Sequence, residues 1–374
     1  MDYSKSYLVL KSLFDPGIEE IVLPGTKVRI HNMLFHSDFP DDDFLNNQDP
    51  LITENSTFSY PVFTPPQKSD KVILLLHGLN ERSWIKYLVW ACWLAENTSS
   101  YVILFPISFH INRSPESWKD PRAMVPYMNN RNLSLGKTSM LSFANVALSD
   151  RLTEDPMRFF NSGYQTSIDL IKLIQTVRAG HHKIIPAGCS LNLFAYSIGA
   201  FLAEIIMMAN PENLFSESKL FIFCGGSVFS NMNGTSKLIM DSYAFKKVYD
   251  FYLYDFEESI IGKSKLSSFL KSTQIGMAFR SMIDRGRLRY FRENNLKRLQ
   301  DQIFCVVMQK DTVIPVKGII ETLNDSGRNN IVEVHDFPYT YSHENPFPLF
   351  SSGLTDEVDR SFNMVFEKAG SFLA

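Results

Sequence analysis

The chain has 374 residues, 45% of them hydrophobic and 21% charged, the composition of a folded globular protein with a sizeable core rather than of a disordered chain. Lysine and arginine number 37 against 40 aspartates and glutamates, a formal net charge of −3, so the concentrated basic surface of a nucleic-acid binder is absent and no nucleic-acid partner is expected. The longest unbroken aliphatic run, Val72 to Leu76, falls far short of the roughly 20 residues of a spanning helix. The start, MDYSKSYLVLKSLFDPG, has no apolar segment of signal-peptide length, so a cytoplasmic protein without integral membrane association is expected. Cys92, Cys189, Cys224 and Cys305 are widely spaced and form no CxxC pair, which points to neither a zinc site nor a disulfide framework.

In chain order, residues 27–36 and 58–64 alternate apolar and polar side chains as half-buried strands do, with the acidic stretch HSDFPDDDF as a loop between them. From Lys71 the pattern changes to continuous apolar runs separated by helical stretches. KVILLL is followed by a helix over about 82–96, then YVILF, a long irregular segment and a helix near 161–178. LNLFAY, a helix over 199–209, KLFIFC, a long helical segment over 236–300, QIFCVVM, a helix near 315–324, NIVEVHDF and a last helix near 355–372 complete the series. Short apolar runs without alternation suit strands buried on both faces, and their alternation with helices predicts a mostly parallel, doubly wound α/β sheet. The connections over about 107–160 and 225–300 exceed ordinary loop lengths, and the second reads as a helical cap. The predicted organisation is therefore an N-terminal extension of strands (1–65), a core in two parts (66–224 and 301–374) and a cap insertion (225–300).

Glycine stands two residues after serine at Ser134, Ser197 and Ser351, but Ser197 alone has a small residue, Ala195, two positions before it. It also ends an apolar run and opens a helical pattern, as a nucleophile elbow requires: the serine occupies a sharp strand-to-helix turn where bulk at the −2 and +2 positions would strike neighbouring backbone. Asp311 follows the strand QIFCVVM, and His343 follows the last strand in a flexible-looking loop, TYSHENPF. The order Ser, Asp, His is that of one hydrolase class and differs from the orders of chymotrypsin-like and subtilisin-like proteases. Upstream, HGLNER follows VILLL, and its His-Gly pair is similar to a turn that supplies a backbone N–H to an oxyanion hole, here Leu79, with Ile198 as the second donor.

From about Lys71 to Ala374 these motifs resemble the α/β-hydrolase family, with the 225–300 insertion where many members carry a cap. The resemblance implies the α/β-hydrolase fold, Ser197 as nucleophile, His343 as general base and acid, and Asp311 as the acid that orients it. Ala195 stands where the family's elbow usually has its first glycine. The activity implied is that of a serine hydrolase of carboxylesterase or lipase type, acting on a small-molecule ester or related acyl substrate with no cofactor and no metal. An acyltransferase or peptidase on the same triad, or a binding protein that keeps the fold without catalysis, are the alternatives; the substrate and the oligomeric state are not specified.

Competing readings exist for each residue. Ser197 and Asp311 could cap helices; His335 competes with His343 but sits inside the alternating run IVEVHDF. His110, Asn112 and Arg113 leave the carboxyl end of a predicted strand, where ligand sites form in open α/β sheets, and are candidate substrate contacts; otherwise Arg113 ties down the long insertion. The aromatic residues between Phe229 and Phe256 line a pocket or simply pack. His181 and His182 read as a surface turn, and Asp38, Asp41, Asp42 and Asp43 as a solvated cluster without the spacing of an EF-hand loop.

Overall fold

Among the described residues nine strands form one sheet, whose edge-to-edge pairing satisfies the backbone while helices bury the apolar runs from both faces. The computed structural model describes residues 1–38, 49–262, 264–323, 331–349 and 353–374. Asp41, Asp42, Asp43 and Ser351 lie outside the described residues. The strands are β1 (Glu20–Val22), β2 (Arg29–His36), β3 (Thr57–Thr64), β4 (Lys71–Leu76), β5 (Tyr101–Leu104), β6 (Ser190–Tyr196), β7 (Leu220–Phe223), β8 (Ile303–Met308) and β9 (Val332–His335). Their spatial order is β1-β2-β3-β5-β4-β6-β7-β8-β9; β1, β2, β3 and β5 pair antiparallel in succession, and the pairs from β5 through β9 are parallel. The chain is an α/β-hydrolase fold.

Successive side chains of a strand point to opposite faces, so each central strand feeds two cores. Leu74, Leu76, Leu193, Ala195 and Ile222 face one core, covered by α5 (Arg158–Arg178) and α6 (Ile198–Ala209). Ile73, Leu75, Phe194, Tyr196 and Phe223 face the other, beneath α1 (Tyr3–Leu13), α2 (Ile85–Asn97) and the C-terminal helix Thr355–Leu373. Trp90 of α2 is fully buried there among the rings of Phe194, Tyr196, Phe223 and Phe366. The N-terminal region is more than added strands. Tyr3 of α1 packs on Phe362 and donates its hydroxyl to the Phe347 carbonyl, so α1 supports the segment that follows β9.

Both long connections are helical. The first, expected to be irregular, contains α3 (Pro121–Leu135) and α4 (Val146–Glu154). The second contains α7 (Ser242–Asp250), continued through a π-helical turn into α8 (Phe256–Ser259), then α9 (Lys265–Ser272), α10 (Gln274–Ser281) and α11 (Arg289–Arg298). Arg131 of α3 joins the two insertions: its guanidinium binds the buried Asp241 carboxylate through two nitrogens, at 2.5 and 3.1 Å, and Asp150 of α4 at 2.7 Å. Asp241 in turn caps α7 by accepting from the Ala244 amide. No helix of the described residues is long and apolar enough to cross a membrane.

One residue conflicts with its surroundings. Glu204 lies on α6 with no exposure, and neither carboxyl oxygen has a partner among the described residues. Burial pushes its carboxyl up from the ordinary 4.5 to about 8. Below the ordinary value the residue is protonated folded and unfolded alike; between the two values only the fold holds the proton, so stability falls as pH rises through that window. Replacing Glu204 with Gln should therefore raise the melting temperature, and the advantage should widen from about pH 5 to about pH 8 at a slope near 1.4 kcal/mol per pH unit. Thermal melts across that range check this; an advantage independent of pH would mean that Glu204 is ionised in the fold.

Candidate active site

Strands β4 and β6 are adjacent and parallel, with Leu76 opposite Ala195, so the turns that follow them leave the sheet side by side. After β6 the chain turns at Ser197, whose backbone has φ 58° and ψ −124°, and enters α6 at the next residue. That left-handed conformation is strained for a residue with a side chain, and its surroundings show what maintains it. A Cβ on Gly199 would lie 2.7 Å from the carbonyl oxygens of both Leu76 and His77, so only glycine lets the first turn of α6 press against the end of β4. Ala195 is fully buried and its methyl sits within the core, which is why a residue larger than glycine is accommodated there.

Three side chains from separate segments meet at the turn. Ser197 Oγ lies 2.6 Å from His343 Nε2, and His343 Nδ1 lies 2.7 Å from Asp311 Oδ2. All three are buried. The other carboxylate oxygen, Asp311 Oδ1, accepts from the amides of Val313 and Ile314 at 2.9 Å each, which fixes the carboxylate plane. A carboxylate oxygen accepts, so Nδ1 carries the imidazole proton and Nε2 is left to accept the serine hydroxyl proton. His335, the competitor, lies on β9 against Glu333 at 2.9 Å and takes no part in this chain of bonds.

The loop bearing His343 is held firmly, contrary to its flexible look in sequence. The Tyr196 hydroxyl donates to the His343 carbonyl, and its ring stacks on the imidazole with centroids 5.5 Å apart. Lys86 donates to the Glu344 carbonyl at 3.1 Å, and Ser236, from the second insertion, bonds the Glu344 carboxylate. These ties come from residues far apart in the chain and have no local sequence signal.

The His-Gly turn after β4 is equally fixed. His77 is fully buried: Nδ1–H donates to the Gly78 carbonyl at 2.8 Å while Nε2 accepts the Ile107 amide at 2.9 Å. Burial, then the neighbouring His110, holds its pKa well below the ordinary histidine value, so the ring is neutral. The Gly78 carbonyl and the Leu79 N–H belong to one trans peptide plane and point in opposite directions; holding the first therefore aims the second. Neither the Leu79 nor the Ile198 N–H has a hydrogen-bond partner among the described residues. Asn80 ties this turn to both insertions through the Ala144 and Leu238 carbonyls.

Two apolar cavities flank Ser197. One is lined by Ser197 itself, by Val313 and Ile314, and by insertion residues including Phe229, Met240 and Phe245. A larger one lies between α5, α6 and α10, and shares Leu79, Phe159 and Ile198 with the first. The insertion aromatics thus divide: Phe229 and Phe245 face the smaller cavity, Tyr252 and Phe256 are packed in the core, and Tyr254 is exposed.

The residues after β5 do not act together. His110 lines the larger cavity, but Asn112 and Arg113 line neither. Asn112 is used on Ser59, bonding its carbonyl at 2.6 Å. Arg113 is fully buried, and its guanidinium is taken up by Asn55, the Pro106 carbonyl and Asp169, the last at 2.8 Å. A guanidinium with four of its five N–H groups engaged and no exposed surface cannot recognise a substrate anion, which corrects the candidate substrate role in favour of the alternative, anchoring the insertion. Nor are the paired histidines a simple surface turn: His182 is buried, with Nε2 at 3.0 Å from the Tyr60 hydroxyl and Nδ1 accepting from the Ile184 and Ile185 amides.

The model of a family of unknown function (DUF6051) matches residues 42–374. No curated protein matches the chain in sequence. Among solved structures, carboxyl esterase 2 from the mycorrhizal fungus Tuber melanosporum is similar over 99% of this chain and 98% of its own, at 8% identity and a TM-score of 0.51. A cold-adapted esterase from an Arctic intertidal metagenomic library covers 93% of this chain and 95% of its own, at 12% identity and a TM-score of 0.41. A lipase in its open form covers 91% and 99%, at 15% identity and a TM-score of 0.42. At such identities the likeness is one of fold.

Arg113 and Asp169 supply a direct check on the correction. Burial pulls the guanidinium down to about 10 and pushes the carboxyl up, so each charge persists only through its partner. Arg113→Met should cost about 3–5 kcal/mol in urea denaturation by stranding Asp169, with no selective rise in KM for acidic substrates. Unchanged stability with such a selective rise would restore the substrate role.

Proposed function

The chain belongs to the DUF6051 family, and we propose that it is a serine hydrolase that cleaves an ester or related acyl bond of a small molecule. The single observation that carries this reading is the continuous line of short hydrogen bonds from Ser197 Oγ through His343 to Asp311, ending on a strained turn beside two unused backbone amides. No helix-capping role explains it, since the Ser197 side chain makes no capping bond to α6.

In the proposed mechanism His343 Nε2 takes the Ser197 proton as Oγ attacks the substrate carbonyl. Asp311 stabilises the imidazolium that forms, and the Leu79 and Ile198 amides receive the negative charge on the carbonyl oxygen. His343 then returns the proton to the departing oxygen, and a water molecule, activated by the same imidazole, releases the acyl group from Ser197. The reaction draws on these side chains and two amides alone, with no cofactor in the scheme. The 225–300 segment acts as the cap, its Phe229, Met240 and Phe245 closing an apolar site over the serine that favours uncharged organic substrates. A site this enclosed also supports acyl transfer to a second substrate, if one displaces water from the cap.

Hydrolysis of p-nitrophenyl esters measures the roles. Ser197→Ala and His343→Ala should each lower kcat by about 10⁵–10⁶, and Asp311→Asn by about 10⁴ through loss of the correct tautomer. Activity that survives both alanine substitutions in folded protein would refute the assignment; a folded wild type inert to every ester and amide tried would favour a binding protein.

A further inference from the structure

The larger cavity is mostly apolar, but polar residues line it too: Arg151 and Arg158 are both paired with Asp49, and the Ser162 and Ser167 hydroxyls are spent on the Ser108 and Gly163 carbonyls, which leaves two lining atoms unused among the described residues. Ser108 and His110, two residues apart on the segment after β5, both line it. Ser108 has no exposure and His110 is 5% exposed, yet neither Ser108 Oγ nor His110 Nε2 has a hydrogen-bond partner among the described residues. Their other polar atoms are fully used. The Ser108 amide donates to Thr166 Oγ1, and its carbonyl accepts both from Ser162 Oγ and from His110 Nδ1–H at 2.8 Å. The segment is thus fixed, with two orphaned groups left over. An orphaned buried polar atom costs about 1–3 kcal/mol, a cost that an apolar residue at either position would avoid.

The chemistry of the two atoms limits what meets them. Because Nδ1 donates to a carbonyl, the neutral ring presents Nε2 as an acceptor, and burial, which pulls His110 down to about 4, keeps it neutral at physiological pH. A ligand must therefore bring a donor to Nε2. The serine hydroxyl can donate to that same ligand group, so a hydroxyl, donor and acceptor in one atom, answers both.

The ester's placement follows from the proposed reaction, on which this part of the inference rests. With the carbonyl oxygen at the Leu79 and Ile198 amides, the departing oxygen must face His343 to be protonated. Val313 and Ile314, whose amides hold Asp311, line the smaller cavity, which thereby takes the leaving group. The acyl chain is left the larger cavity, reached past Leu79, Phe159 and Ile198. We infer that this cavity is the acyl-chain site, and that Ser108 and His110 select an acyl chain bearing a hydroxyl group along its length.

The test measures binding by calorimetry to the Ser197→Ala chain, which cannot turn substrate over. The probes are methyl decanoate and its monohydroxy isomers, the hydroxyl moved carbon by carbon along the chain. One isomer should bind about 10-fold tighter than the plain ester, and adding Ser108→Ala should remove most of that advantage while leaving the affinity for methyl decanoate unchanged. The melting temperature should not fall in Ser108→Ala, because its hydroxyl has no bond to lose among the described residues; lost selectivity in that variant is then not a folding defect. Isomers that all bind no better than methyl decanoate overturn the inference, as does an advantage indifferent to Ser108→Ala. Wild-type hydrolysis of the same esters separates the two claims. Turnover without hydroxyl preference in binding leaves the serine-hydrolase reading intact and ends this one; hydroxyl-selective binding without turnover supports the site and ends the reaction.

Discussion

The backbone of Ser197 is held at φ 58° and ψ −124°, a conformation that costs an L-residue of order 1–3 kcal/mol, and much of the central fold is arranged to hold it there. The Ser197 amide bonds the Phe223 carbonyl at the end of β7, so the strained residue is tied to the sheet. Gly199 lets α6 descend onto the end of β4, and Gly225, where an added Cβ would meet the Ala200 Cβ at 2.5 Å, lets the segment after β7 pass beneath the same helix. A flexible loop would relax into a commoner conformation and withdraw the side chain. Here the neighbouring strands, packed on both faces, make relaxation more costly than strain.

The same turn sets the position of the rest of the site. His343 reaches it only because its loop is fastened by Tyr196, the residue before the serine, and by Lys86 from α2. Leu79 is presented by a peptide plane that His77 fixes from below and Asn80 anchors to both insertions. Two long connections, joined by the ion pair of Arg131 with Asp241, thereby meet at the turn through the Asn80 side-chain amide. The resulting space is mostly apolar and branched, and its larger branch is lined by Ser108 and His110, whose Oγ and Nε2 have no partner among the described residues.

The strands were legible in the sequence for a physical reason. Those of a parallel sheet are buried on both faces, so KVILLL, LNLFAY and QIFCVVM read as unbroken apolar runs, and the small residues around Ser197 follow from the crowding at a strand-to-helix turn. The residues named at the turn, Asp311 and His343, are brought within hydrogen-bond distance in the order the motif implied. What escaped is what depends on distant partners or weak patterning. Helix α3 carries Pro126 in its interior and buries only Met124 and Arg131, so it gives little amphipathic signal. Strand β1 has three residues, too few to alternate. Arg113 looked like a ligand for an anion because its true partner, Asp169, is 56 positions away on α5. That Ser108 Oγ and His110 Nε2 have no partner among the described residues is visible only once their neighbours have been placed.

The central claim is that Ser197 is an activated nucleophile, and intact mass after exposure to a fluorophosphonate probe tests it most directly, because phosphonylation requires an activated serine beside an oxyanion site and no knowledge of the substrate. The structure predicts one adduct per chain on the wild type, none on Ser197→Ala, and strongly slowed labelling of His343→Ala. A wild type that is folded and unlabelled, or an adduct that persists in Ser197→Ala, would contradict it.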